Sequence, residues 1–329
     1  MRGALALTLV LLVTASGQTT STNSTQKTSQ ESPRTAPKNG FIFWTTPRKS
    51  VDFLLDPVPQ ADSVRLAQLK QSFSDFQCLA TNLREQPTPR GKNLLCTLPA
   101  SAPPSVAATE KTGRRAVAVD DSGTILFLAH YEHDGPGQSA IDNWTGALML
   151  TFLFHALSAT PHHHTYLFAA VDGEPGAKAL FESFTPEERR DIKGVIGLEA
   201  LGLGPAQFYI DPNDSYATYY GSWFLNVQLT QAAADQRLTA PLRAIPGGWF
   251  RVDVTREFRH HGIPSILIHS VGFGTRNLPG TAEDKASAIN RDAYYNTFVL
   301  LAYYAAELDK PWPFPAQSAS SRPSGGRRR

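Results

Sequence analysis

Apolar and polar positions change rhythm along the chain, and each change predicts an element. Residues 62–80, DSVRLAQLKQSFSDFQCLA, carry apolar side chains at helical spacing and predict a helix. The Pro- and Ala-rich stretch PASAPPSVAATEKTG reads as a loop. Strand-length apolar runs then alternate with helical segments. TILFLAHY (124–131), TYLFAAV (165–171), GVIGLEAL (194–201) and IPSILIHS (263–270) show no polar alternation, as expected of strands covered on both faces. NWTGALMLTFLFHALSA (143–159) predicts a mostly apolar, well-covered helix. In TPEERRDIK, Thr185 caps a helix, Pro186 occupies its first turn and Glu188 completes a capping box. EDKASAINRDAYYNTFVLLAYYAAEL (283–308) closes the series as a long helix, and no internal repeat is present.

Strands alternating with helices predict an α/β fold: a mainly parallel, mixed central sheet flanked by helices in three layers. Ligands in such folds bind at the carboxyl ends of strands near a topological switch point. His130 stands at one such end, Glu174 just beyond another, and Glu199 at or near a third.

Composition bounds the rest. A chain of 329 residues, 41% hydrophobic and 18% charged, suits one large domain, read as residues 46–310. The net charge of +2 comes partly from the tail, residues 311–329, which ends SRPSGGRRR. No basic stripe interleaved with aromatics appears, so nucleic acid is excluded as a partner. The N-terminus has one Arg, an apolar run and then TASG, the layout of a signal peptide over residues 1–17. The run falls short of the about 20 residues a membrane span needs. The expectation is therefore an exported chain, secreted or periplasmic, without a transmembrane span. Residues 18–45 are polar and Ser/Thr-rich and read as a flexible leader. The two cysteines, Cys78 and Cys96, are most simply a disulfide closing a short loop; two buried thiols are the alternative.

The chemistry gathers between Gly123 and Leu150. His130 and, twelve residues on, Asp142 can give one zinc ion an imidazole and a carboxylate. Asp142 fits a helix N-cap equally well. Glu132 points to the same side of an extended segment as His130 and can accept the other ring N–H.

From about Gly123 to Leu308 the chain resembles the co-catalytic zinc aminopeptidases that share a fold with the glutaminyl cyclases. AHYEHDGPGQSAIDNWTGA is similar to that family's AHYDH…PGA-DN-SG-A segment, and LFAAVDGEPG to its strand ending in a Glu-Glu pair. IKGVIGLEALG resembles hK-VINLDM-G, FRHHGIPSILIHS resembles F---GIP, and PGTAEDKASAIN lines up on YHTP-DT---IN. The resemblance implies a zinc-exopeptidase-like fold. It also implies two zinc ions bridged by the Asp of DN, with the first Glu of the pair as general base.

Carried over position by position, His130 matches the first ligand, Asp142 the bridging carboxylate, Glu199 a ligand that is Asp in the family, and Glu174 the general base. Glu132 replaces the Asp behind the histidine. Pro175 and Gly280 stand where the second site has its Glu and His, and neither offers a donor. The resemblance then implies a single zinc on His130, Asp142 and Glu199, in a hydrolase acting on the N-terminus of a peptide or small protein. Zinc would polarise the peptide carbonyl and acidify water, with Glu174 and Glu132 assisting. The alternative is a catalytically inactive member serving as a binding or scaffold module. Cyclase activity needs the missing ligand set and is not expected.

Other alignments and groups stay open. A shift after Glu174 would make it a second-site ligand and leave no base. His133, His260, His261 and His269 are each a substitute for the lost histidine or, more simply, a hydrogen-bonded or surface side chain. PHHHTYLF reads as a solvated loop, while NST, NWT and NDS fit the glycosylation pattern. Phe208, Trp249 and Phe250 are either cleft walls or core.

Overall fold

Apolar runs without polar alternation must be covered on both sides, and here they form the middle of one sheet. The computed structural model describes residues 46–101, 122–243 and 252–310. The expected signal segment, the leader, the tail, most of the Pro/Ala loop, and Trp249 and Phe250 lie outside the described residues.

The chain begins with α1 (Arg48–Leu54) and α2 (Asp62–Asp75), then a hairpin of β1 (Leu83–Pro87) and β2 (Lys92–Leu98). Next come β3 (Thr124–His130), α3 (Thr145–Leu157), β4 (Thr165–Val171), α4 (Gly173–Ser183), α5 (Pro186–Asp191) and β5 (Ile192–Leu198). β6 (Gln207–Tyr209), α6 (Tyr216–Asp235), β7 (Leu242–Arg243), α7 (Arg256–His260), β8 (Ser265–His269) and α8 (Arg291–Leu308) complete it. Among the described residues the sheet has eight strands, ordered β1-β2-β4-β3-β5-β8-β6-β7. β4, β3, β5 and β8 run parallel, while β2 joins β4 and β6 joins β8 antiparallel. This is the mixed, mainly parallel sheet that the pattern predicts.

Strand parity sorts the core into two layers. Phe127, Phe168, Ile196 and Ile268 face α2, α3, α6 and α8, with Phe127 stacked 5.6 Å from Phe168. Leu126, Leu128, Leu167 and Val195 face Leu180 and Phe181 of α4 and Phe258 of α7. Burying each such side chain contributes about 1.5–3 kcal/mol, so the two layers hold the central strands rigid. Cys78 and Cys96 are bonded, tying the end of the α2 segment to β2; a loop of this size contributes about 3 kcal/mol. The buried-thiol alternative falls.

Thr185 and Glu188 form the expected capping box. Other expectations need correcting. The closing helix starts at Arg291 rather than Glu283, because Asn290 caps it and Asp284 is turned inward to accept backbone amides. The hairpin and α6 were not predicted. Apolar residues cover α6 all round, with Tyr216, Tyr220, Trp223 and Val227 exposed opposite buried Leu225 and Leu229, so no stripe marks it. Phe208 is core. The triple histidine is buried, not solvated: Asp309, just past α8, accepts the backbone N–H groups of His163 and His164 and draws the loop under that helix. No helix among the described residues is long and apolar enough to cross a membrane.

Buried imidazoles set a pH dependence. Burial pushes His162 down to about 4 and His269 down to about 3, against about 6.5 for an unfolded chain. Below about pH 6.5 the unfolded chain protonates these two imidazoles while the native state does not, so their contribution to stability is lost as pH falls toward about 4. His162→Phe keeps a ring against Tyr166. In chemical denaturation it should gain more than about 1 kcal/mol relative to wild type between about pH 7.5 and about pH 4.5. A wild-type-to-variant difference that does not change with pH would contradict this.

Candidate metal centre

β3 and β5 are parallel neighbours with Leu128 opposite Gly197. Two residues further on, His130 and Glu199 therefore emerge side by side at the carboxyl ends, on the same face of the sheet. This is the switch point: the chain passes from β3 to β4 on one side, then crosses to β5 on the other. Asp142 reaches the same point from the loop leading into α3.

His130 Nε2 lies 2.9 Å from Glu199 Oε2 and 3.2 Å from Asp142 Oδ1. The three donor atoms fall within 4.8 Å of one another, and all three side chains are buried. On the far side of the ring, Glu132 Oε2 sits 3.1 Å from His130 Nδ1 and so fixes which nitrogen faces Asp142 and Glu199.

Side chains not singled out from sequence shape the loops. Asp284 Oδ1 accepts the Ile141 N–H at 2.6 Å, and its Oδ2 accepts those of Asp142 and Gly280 at 3.2 and 2.8 Å. Asn143 donates to the Leu198 carbonyl and accepts from the Ala200 N–H, joining the Asp142 loop to the Glu199 loop. Ala200, directly after Glu199, has φ +46°, and Ser139, before Asp142, has φ +45°. Non-glycine residues hold that region only where surroundings over-determine them. Asn143 and Asp284 had a signal in sequence, as the Asn of DN and the Asp of PGTAEDKASAIN within the quoted motifs.

Electrostatics test whether this set suits a cation. Burial pushes the Glu199 carboxyl up to about 8, opposed by His130 and reinforced by Asp142 and Glu132. Burial alone would lower the His130 pKa, but Glu199, Glu132 and Asp142 outweigh it and raise it well above the ordinary value. Glu132 is lowered, His130 outweighing burial. Glu199 Oε1 is buried and has no hydrogen-bond donor among the described residues. Three carboxyl groups around one buried imidazole hold negative charge that a protonated His130 or a bound cation would offset. One nitrogen and two oxygen donors are a common zinc set, so these residues fit the ion.

The remaining expected groups are not among the three grouped donors. Glu174, expected beside the cluster as proton acceptor, sits in the first turn of α4 with its carboxylate 3.1 Å from Arg256 and 3.3 Å from the Asp253 N–H. Gly173, φ +65°, is the residue that backs onto the centre: a Cβ there would come 2.6 Å from Glu132 Oε1. Gly280, φ +70°, contributes only its backbone, to Asp284. His133 Nε2 meets the Gly137 carbonyl, His261 stacks on Phe181, His260 lies on α7, and His269 Nδ1 accepts from the Val271 N–H. Among the described residues no other His, Cys, Asp or Glu joins the three donors. Asn143 is fully buried, so NWT is no glycan site in the folded chain, whereas Asn213 of NDS is exposed.

The family model for peptidase family M28 matches residues 108–305, more than half of the chain. The chain belongs to peptidase family M28. No curated protein sequence matches it. Among solved structures, a glutaminyl cyclase from Macrostomum lignano has a TM-score of 0.61 at 17% identity, covering 82% of this M28 chain and 91% of that one. The LapA aminopeptidase of Legionella pneumophila has a TM-score of 0.54 at 14% identity, covering 82% and 77%. A zinc aminopeptidase from Bacillus subtilis has a TM-score of 0.52 at 15% identity, covering 67% of this chain. This M28 chain spans only half the length of that Bacillus enzyme. At these identities the likeness is one of fold.

Asp284→Asn keeps the shape but turns one acceptor oxygen into a donor facing backbone N–H groups. It should lower unfolding free energy by about 1–3 kcal/mol, read from the urea midpoint. A midpoint equal to wild type would mean Asp284 does not hold the Asp142 loop.

Proposed function

We propose that this chain is an exported metallohydrolase, secreted or periplasmic, that holds one zinc ion and removes residues from the N-terminus of a peptide or small protein. The observation that carries the reading is the convergence of His130, Asp142 and Glu199, with Glu132 behind the ring and no fourth donor among the described residues. Family membership supports the hydrolase class. Export is supported by the signal-like residues 1–17 and by the Cys78–Cys96 bond.

His130, Asp142 and Glu199 would hold the ion, which supplies Lewis-acid polarisation of a peptide carbonyl and acidifies water. Glu132 keeps the imidazole in one tautomer and orientation. Glu174 is the carboxylate this reading assigns to proton transfer. It is partly exposed, follows the glycine that abuts Glu132, and must give up Arg256 to act. That same Arg256 contact favours a second reading, a chain that keeps the fold and cleft and works as a binding module without turnover.

Elemental analysis of the purified chain should find about one zinc per chain, lost in His130→Ala while the circular dichroism stays native. No zinc in a folded wild type would end the metallohydrolase reading. With zinc present, Glu174→Gln should lower kcat on an aminopeptide substrate about 10²–10⁴-fold while metal content is unchanged. Equal rates would remove Glu174 from the chemistry, and zinc without turnover on any peptide would favour the binding module.

A further inference from the structure

Arg65 of α2 is fully buried, yet its guanidinium makes no ion pair among the described residues; its hydrogen bonds go to backbone carbonyls. Nε donates to Pro59 at 2.9 Å, Nη1 to Tyr131 at 3.0 Å and Glu132 at 3.2 Å, and Nη2 to Gln138 at 2.5 Å and Ser139 at 3.3 Å. A guanidinium has five N–H groups, and all are used. The positions of the acceptors matter more than their number. Tyr131 and Glu132 follow His130 directly, and Gln138 and Ser139 lead into Asp142. One side chain thus pins both ends of the loop that carries three of the centre's four side chains.

Two further contacts tighten the arrangement. Asp62, one turn earlier on α2, accepts the His133 N–H at 2.6 Å. The guanidinium lies 5.6 Å from the centre of the Trp144 ring, close to Asp142 in sequence. Burial lowers the Arg65 pKa to about 10, against the attraction of Asp62, Asp284, Glu132 and Asp142, so it stays charged at neutral pH. A buried cation facing the carbonyl side of the loop offsets part of the carboxylate charge on its other side.

We propose that Arg65, with Asp62 beside it, is the positioning element of the metal centre, holding the His130–Asp142 loop in its ligating geometry before any ion binds. The proposal rests on reading the centre as a zinc site. Its physical basis is pre-organisation: an ion that meets fixed donors does not have to order the loop, so rigidity appears directly as affinity. Lysine at position 65 would keep the charge but, as a point donor, cannot reach carbonyls at both ends of the loop.

Arg65→Lys and Asp62→Ala in the full chain test this, by amide hydrogen exchange in chelator and by zinc competition and cobalt absorption spectra. For Arg65→Lys, exchange over residues 131–142 should accelerate about tenfold or more while β3, β4 and β5 stay protected. Zinc affinity should fall roughly 10–100-fold and the cobalt bands should shift. Asp62→Ala should move the same readouts less. A folded Arg65→Lys variant with wild-type exchange, affinity and cobalt bands would overturn the proposal, since a purely structural role lowers only the melting temperature. If Arg65→Lys does not fold, Asp62→Ala decides alone, and wild-type behaviour there counts against the proposal. If the wild type takes up neither zinc nor cobalt, the zinc reading fails, and exchange in chelator alone decides the positioning claim.

Discussion

Three carboxylates buried around one imidazole form the constraint on which the centre depends. Glu132, Asp142 and Glu199 all approach His130 within about a hydrogen-bond distance in a region closed to solvent. Such a group holds negative charge that a protonated His130 or a bound cation would offset, and the backbone around it is fixed. The surrounding arrangement follows. Asp284 accepts three amides of the two loops it joins, Asn143 links the ends of both ligand-bearing segments, and Ala200 is held at positive φ beside Glu199. These groups leave Asp142 and Glu199 little freedom to turn away from the histidine.

The fold supplies the place and the residues supply the chemistry. Parallel β3 and β5 put His130 and Glu199 side by side only because β4 lies on the other flank of β3, so the crossover opens a crevice at their carboxyl ends. Solved structures that share this fold include both aminopeptidases and a glutaminyl cyclase, so topology cannot choose between those activities. The details around the centre are local: Gly173 abuts it without a side chain, Gly280 gives its amide to Asp284, and Glu174 is paired with Arg256. The three candidate donors and Glu174 thus sit on different elements, and each can be probed without the other.

Much of the architecture was legible in the sequence. Unalternated runs marked the four parallel strands, because residues covered on both faces are apolar at every position. The capping box at Thr185 was visible because it is written in consecutive residues. α6 escaped because its exposed face is as apolar as its buried one, leaving no period to detect. The triple histidine was misread because its burial depends on Asp309, more than a hundred residues away. Arg65 gave no signal at all: within its own helix it is one more basic residue, and its acceptors are carbonyls that any residue type provides.

The order of residues alone dictated a mixed α/β sheet with His130 and Glu199 at strand ends and Asp142 at the start of the following helical segment, because strand periodicity and strand termini are local properties. Distances among those side chains, the direction of Glu174, the inward turn of Asp284 and the burial of Arg65 were decided by the assembled fold. The reason is physical: each depends on a partner from a distant segment, and only packing brings that partner within reach.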